Sequence, residues 1–378
     1  MKSRIKQTFL FLFALSSLAS CSSSSTNESS SIPKESSSEA EKNLINYLGR
    51  YHFEKVGESG IPIFSYSGSG FEIKVNVQSE NYRFVIKLYN RLSGQSSQFV
   101  NLYVDEALNR KIELKAEYET IEIASLTAGN HLIRINKLNE AQFSKIGLAG
   151  YEQSGAEIVE IEKRSKRKME VYGDSITCGY GNLASSYKEE FSMATEDAMQ
   201  TYGILCAEEL GFDCNLVSCS GLAMALSPFG SEITLKDIYA SSDMEKAWDL
   251  SYYVPEYVLI NIGTNDNTAY LSSASSEKEA KLALFKGNYL SMMKSLKEAY
   301  GEQTKFICLA NMMVSLHKDV NNAILDVISS FNEAYENSAF YCTFDPDGKG
   351  AVSHPGLEAH QRNAEILAEL ITSLDEML

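Results

Sequence analysis

The chain has 378 residues, enough for two domains of ordinary size. Lys and Arg number 34 against 50 Asp and Glu, a formal charge of −16. A surface of that sign repels phosphate, which argues against nucleic acid and anionic membrane surfaces as binding partners and favours a neutral substrate.

The first twenty residues are expected to lie outside the fold. Lys2, Arg4 and Lys6 precede the apolar run TFLFLFALSSLA, and SLASC follows. This is the order of an export signal (1–20), with an apolar run short for a membrane span. The ending LASC resembles the bacterial lipoprotein box, which implies cleavage before Cys21 and lipid attachment to it; the alternative is an ordinary cleaved signal with a chance cysteine. The serine-rich stretch 21–43 that follows cannot bury a core and reads as a flexible tether. The expectation is an exported lipoprotein held on a bacterial membrane, its body at the cell surface or facing the periplasm. Six further cysteines, Cys178, Cys206, Cys214, Cys219, Cys308 and Cys342, mostly sit in apolar stretches and are expected to be free thiols. No C-x-x-C pair occurs and the histidines are scattered, so no metal site is expected.

From 44 to 163 apolar residues recur at every second position. FEIKVNV puts Phe71, Ile73, Val75 and Val77 on one face, and KIELKAEYETIEIASL reads as a longer strand of the same kind. Many short strands with Gly- and Ser-rich turns predict an antiparallel β-sandwich of jelly-roll type. The basic run EKRSKRK, 162–168, reads as a hinge. From 164 to 378 the period changes. Strands KMEVY, CNLVSCS, YVLINIG, KFICLAN and AFYCTF alternate with amphipathic helices, among them one over EDAMQTYGILCAEELG and one over EKAWDLSYY. This predicts a three-layer α/β/α domain on a parallel sheet, whose sites gather beyond the C-terminal strand ends.

Four loops at such ends carry chemistry. In MEVYGDSITCGYGN, Gly173 turns the chain off its strand and Ser175 begins the next helix. Its hydroxyl is placed as a nucleophile and its N–H is left without a helical partner; an N-cap serine is the alternative role. NLVSCSGLAMA brings Gly221, whose missing side chain admits a ligand to the backbone N–H. LINIGTNDN offers the side-chain amide of Asn265. AVSHPGLEAH holds His354, fixed by Pro355 ahead of the last helix. Asp174 and Asp266 read as structural. Tyr180, in GYG, is either a substrate contact or half-buried filler, and Trp248, the single tryptophan, reads as core.

GDSIT, SG, GTND and the late HP together resemble the SGNH, or GDSL-type, hydrolases. With ATEDAMQTYG, the Trp-Asp pair before PEYVLINIGTND and the preceding jelly roll, nearly everything from residue 45 onward is similar to carbohydrate esterase family 2. The resemblance implies Ser175 as nucleophile and His354 as general base and then acid. It also implies an oxyanion hole of the Ser175 and Gly221 N–H groups and the Asn265 amide. Serine acyl transfer needs no cofactor.

The sequence departs from most SGNH enzymes in one place. The aspartate expected three residues before the histidine is Ala351, while Asp345 and Asp347 lie at the wrong spacing. Either one of them reaches the ring by an altered loop, or, as the resemblance to carbohydrate esterase family 2 implies, a backbone carbonyl orients the imidazole in a Ser–His dyad, which is the favoured reading. His360, in the last helix, is the rival base and is expected to pack. The function implied is deacetylation of a polysaccharide such as xylan or glucomannan. The alternatives are a short-chain general or lipid esterase and a non-catalytic carbohydrate-binding lipoprotein.

Overall fold

The computed structural model describes residues 44–162 and 166–377. The expected signal, Cys21 and the serine-rich tether lie outside the described residues, as do 163–165 within the basic run. Among the described residues no helix is long and apolar enough to cross a membrane.

The first eleven strands form two antiparallel sheets. One contains β1 (Ile45–Leu48), β4 (Gly70–Val77), β6 (Gln98–Val104), β7 (Ala107–Leu114), β9 (Gly129–Lys137) and β11 (Ala156–Val159), ordered β1-β4-β9-β6-β7 with β11 also on β4. The other runs β2 (Tyr51–Val56), β3 (Ser59–Phe64), β10 (Ser144–Ser154), β5 (Arg83–Leu92) and β8 (Tyr118–Glu122). The core between them takes the alternate residues of both sheets. Phe71, Ile73, Val75 and Val77 of β4 pack with Phe84, Ile86 and Leu88 of β5, as the period-two pattern requires. The single strand expected over KIELKAEYETIEIASL is instead two, β7 and β8, in opposite sheets. The break has a local cause: Glu119 Oε1 accepts the N–H groups of Lys115 and Ala116, drawing them into a turn.

The second part is an all-parallel sheet ordered β13-β12-β14-β15-β16. Its strands are β12 (Arg167–Gly173), β13 (Phe212–Ser218), β14 (Tyr257–Asn261), β15 (Lys305–Ala310) and β16 (Ala339–Thr343). The helices are α1 (Ser175–Cys178), α2 (Tyr202–Leu210), α3 (Leu235–Ile238), α4 (Thr264–Leu271), α5 (Ser275–Tyr300), α6 (Lys318–Ala334) and α7 (Leu357–Met377). Residues of α2 and α7 cover one face of the sheet, and those of α5 and α6 the other. The expected order, antiparallel β domain then parallel α/β domain, is the one observed. The six cysteines are free, all but the half-buried Cys214 fully buried.

Two expected helices are shorter or missing. The helix over EDAMQTYGILCAEELG starts only at Tyr202, because Thr201 is extended and Asp197 caps a separate 3-10 turn at Met199. EKAWDLSYY is a turn and a 3-10 segment. Asp243 Oδ1 takes the N–H groups of Glu245 and Lys246, and the Trp248 N–H donates back to the Ala240 carbonyl across a Ser241–Ala247 bridge, the pairing of a tight loop and not of a helix. Trp248 is consequently half-buried rather than core, edge-on to Tyr51 of the sandwich at 5.8 Å.

A buried joint ties the two parts together. Arg50, between β1 and β2, is wholly buried beneath the α/β domain. It donates to Glu170 of the central strand β12 (3.1 Å), to Tyr172 Oη (2.7 Å) and to the carbonyls of Tyr239 (2.6 Å) and Ser241 (2.8 Å). Tyr172 and Tyr300 hydroxyls also donate to Glu170. The guanidinium thus has a full set of acceptors, the condition under which a buried charge is tolerated.

Candidate active site

The register of the parallel sheet sets the site. Gly173 of β12 pairs with Ser218 of β13 and with Asn261 of β14, so three strands end level. The corners that follow, carrying Ser175, Gly221 and Asn265, therefore stand side by side at the point where strand order reverses.

Ser175 is the first residue of α1 and 8% exposed. Asp174 caps this turn by accepting the Ile176 N–H at 3.0 Å, and Gly179 closes it at φ +84°. Gly173 is required by crowding, not by turning the chain. Its φ is ordinary, but a Cβ there would lie 2.1 Å from Thr177 Oγ1 and 2.9 Å from the Asn261 carbonyl.

Gly221 has φ +81°, and a Cβ on it would lie 3.3 Å from the Phe229 ring. The loop beyond it is held by Asp266, whose carboxylate accepts the N–H groups of Met224, Ala225 and Leu226 at 2.8–2.9 Å. Burial nevertheless pushes this acid up to about 6. Asn265 links the neighbouring corners. Its Nδ2 donates to the Leu222 carbonyl at 2.7 Å and lies 3.4 Å from Asp174 Oδ2. Asp174, also fully buried, is pushed up to about 7, chiefly by desolvation.

His354 arrives from the far edge of the sheet. After β16 the chain returns through backbone bonds from Phe344 to Ala310, Asp347 to Met312 and Ala351 to Gly181. That last bond seats the histidine turn beside the turn that carries Ser175. His354 Nε2 lies 2.8 Å from Ser175 Oγ, and Nδ1 lies 3.2 Å from the Ala351 carbonyl oxygen. With Nδ1 protonated toward the carbonyl, Nε2 is an acceptor facing the hydroxyl. Burial holds the imidazole down at about 4, so it is neutral around pH 7. Asp347 is paired with Lys349 and Arg362 instead. The turn is strained: Val352 and Ser353 have φ +52° and +63°, a region that a β-branched residue rarely enters.

Tyr180 lies on the histidine. Its ring stacks on Phe191 at 3.9 Å and tilts onto His354 at 4.5 Å, and burial raises its phenol to about 12. His360 is occupied elsewhere, buried in α7 and accepting the Tyr202 N–H at 3.2 Å. The remaining histidines also have structural partners. His52 lies between Glu54 and Asp243, His131 contacts Asp105 at 2.7 Å, and His317 caps α6. Asp266 and Asp174 act on the backbone, as the sequence suggested. Nothing in the sequence pointed to Phe191 or to Phe229 against Gly221. Each lies in a segment without a motif, and only tertiary structure brings it to the site.

Residues 47–161 match the family model for the carbohydrate esterase 2 N-terminal domain, and residues 170–352 match that for the GDSL-like lipase/acylhydrolase. Over 332 residues the chain is 26% identical to the cellulase/esterase CelE of Acetivibrio thermocellus, covering 85% of this chain and 38% of that protein. An acetylxylan esterase/glucomannan deacetylase of Cellvibrio japonicus is 29% identical over 184 residues, 46% of this chain and 51% of its own. The match thus spans 38% and 51% of the length of these two relatives. Among solved structures, a family two carbohydrate esterase from Clostridium thermocellum in complex with cellohexaose shares the fold. Its TM-score is 0.77 at 22% identity, over 88% of this chain and all of that one. An acetyl xylan esterase from the rumen bacterium Butyrivibrio proteoclasticus superposes at TM-score 0.76 and 18% identity, over 89% and 97% of the two chains. The chain thus carries a carbohydrate esterase 2 N-terminal domain followed by a GDSL-like lipase/acylhydrolase domain, and the relatives and solved structures it resembles include family two carbohydrate esterases.

Proposed function

We propose that the chain is a carboxylic ester hydrolase that removes O-acetyl groups from a polysaccharide, with Ser175 and His354 as a catalytic dyad. The observation that carries this reading is the aligned trio of Ser175 Oγ, the His354 ring and the Ala351 carbonyl. His354 Nε2 takes the serine proton as Oγ attacks the acetyl carbonyl. The tetrahedral oxyanion is received by the N–H groups of Ser175 and Gly221 and by Asn265. One N–H of the Asn265 amide is fixed on the Leu222 carbonyl, and the other, which meets Asp174 Oδ2 only at 3.4 Å, is the one available to the oxyanion. Collapse returns the proton to the departing sugar oxygen and leaves an acetyl-serine. Water, deprotonated by the same histidine, then releases acetate.

A neutral acetylated glycan fits the charge of the chain, and the names of its relatives point to xylan or glucomannan. Phe229, 64% exposed against Gly221, supplies an aromatic face of the kind sugars stack on. Export and a lipid anchor at Cys21 would place this activity outside the cell, where such polymers are met. The test is acetate release from acetylated glucomannan and acetylated xylan, with Ser175→Ala and His354→Ala alongside. Release by the parent, lost in both variants, supports the dyad. A parent inert on both polymers and on an aryl acetate, yet retaining glycan binding, supports the binding-lipoprotein reading instead.

A further inference from the structure

A carboxylate of the sandwich reaches the loop that carries Gly221. Glu140, in the connection between β9 and β10, is fully buried. Its Oε2 accepts the Ser220 N–H and its Oε1 the Ser220 hydroxyl, both at 2.6 Å. Gln142 Nε2 donates to it at 2.9 Å. The thiol of Cys178, last residue of the turn begun by Ser175, approaches Oε2 at 3.8 Å and Ser218 Oγ at 3.2 Å. One carboxyl therefore touches both the residue before Gly221 and the end of the Ser175 turn.

All of these neighbours are donors, the surroundings of an ionised carboxylate. Beside it lies a second buried acid, Glu196. One of its oxygens accepts the Asn139 amide and the Glu140 N–H, while the other has no partner. Burial raises both acids, and the neighbouring Glu140 raises Glu196 further. A fully buried carboxylate is costly to keep, and here its strongest contacts both go to Ser220.

The peptide that leaves Ser220 carries the Gly221 N–H, and an oxyanion donor must be held to within about 0.5 Å to be effective. We propose that Glu140 is a positioning residue for the hydrolase site: by gripping Ser220 at its N–H and its hydroxyl, it aims the Gly221 N–H at the forming oxyanion. This rests on the esterase reading of Ser175 and His354. It makes the β-sandwich part of the active-site framework, contributing a side chain that acts on the oxyanion loop.

The test compares the parent with Glu140→Ala, Glu140→Gln and Ser220→Ala, reading kcat and KM on an aryl acetate and amide exchange in 219–224. Glu140→Ala is expected to lower kcat about tenfold or more with KM within about twofold, since a misplaced donor forfeits transition-state rather than ground-state binding. Exchange in 219–224 should rise while protection in the sandwich is kept. Glu140→Gln should recover most of the rate, because its amide oxygen still accepts the Ser220 N–H and the serine hydroxyl can reverse to accept. Ser220→Ala, which loses one of two contacts, should lose about threefold in kcat. Parent kcat and parent exchange in Glu140→Ala would overturn the proposal. So would a loss accompanied by general loss of protection that Gln does not recover. If Glu140→Ala does not fold, Ser220→Ala decides: parent rate and parent exchange there are equally fatal. A parent inert on the aryl acetate defeats the esterase reading alone, and the exchange data still judge whether Glu140 positions the loop.

Discussion

His354 Nδ1 faces the carbonyl oxygen of Ala351, three residues back in its own turn and 3.2 Å away. A carbonyl fixes the tautomer as an aspartate does, but brings no negative charge to sustain an imidazolium. Burial therefore acts unopposed by a carboxylate and lowers this imidazole from 6.5 to about 4. If His354 is the base of the proposed dyad, the neutral ring is its working form, so kcat/KM for an aryl acetate should stay level from pH 7 to about 5 and fall as His354 gains a proton near 4. A one-proton midpoint close to 6.5 would contradict this. The sign for stability is the same. A histidine depressed in the folded state contributes stability that is full above the unfolded value of 6.5 and is lost as pH falls toward 4.

Gly181 and Ala351 leave each other no room. A Cβ on Gly181, at φ +63°, would lie 2.4 Å from Ala351 Cβ, and the Gly181 carbonyl holds the Ala351 N–H. Gly181→Ala should displace the turn that presents His354, costing about 10²-fold in kcat, the scale of a 1 Å misplacement. A steady-state assay showing parent kcat would mean the turn can yield. The same packing predicts that Ala351→Asp lowers activity instead of restoring a triad.

Asn265→Ala removes the proposed oxyanion donor and the tether to Leu222 at once. The expected loss is about 10²–10³ in kcat with little change in KM. A loss confined to KM would assign Asn265 to substrate binding.

Arg50→Met should be among the more destabilising single changes in the chain. It strands Glu170 in the interior with only the Tyr172 and Tyr300 hydroxyls as donors, at a cost of about 3–5 kcal/mol. Urea unfolding measures this. The double variant Arg50→Met with Glu170→Leu should regain part of the loss, because it leaves no unpaired buried charge.

The parts of the site that could be read in the sequence are those set by local geometry. Ser175, Gly221 and Asn265 each occupy a corner just past a strand, and His354 a turn just before the last helix, where residue type and backbone conformation constrain one another over five or six positions. The absence of an acid at 351 was equally legible, whereas the carbonyl of Ala351 facing the ring is seen only in the structure. Contacts that need distant segments were not. Glu140 sits in KLNEAQF, where nothing distinguishes it from a surface acid until the sandwich packs on the sheet. Tyr180 could be placed near the site, but its stacking between Phe191 and His354 depends on a loop with no regular period. The errors of secondary structure have one cause. Asp243, Asp197 and Glu119 bond backbone N–H groups within a few residues of themselves, and such local bonds override the apolar pattern that suggested a longer helix or strand.

The joint at Arg50 and Glu170 bears on how such a gene can be cut and recombined. A truncation that begins at β12 would open Glu170, Tyr172 and Tyr300 to water and remove the lid over that side of the sheet, so the catalytic half should express as an aggregating fragment. Chimaeras that exchange the hydrolase part between relatives should survive only when the Arg50 segment travels with it. In heredity as in folding, the two halves are one unit.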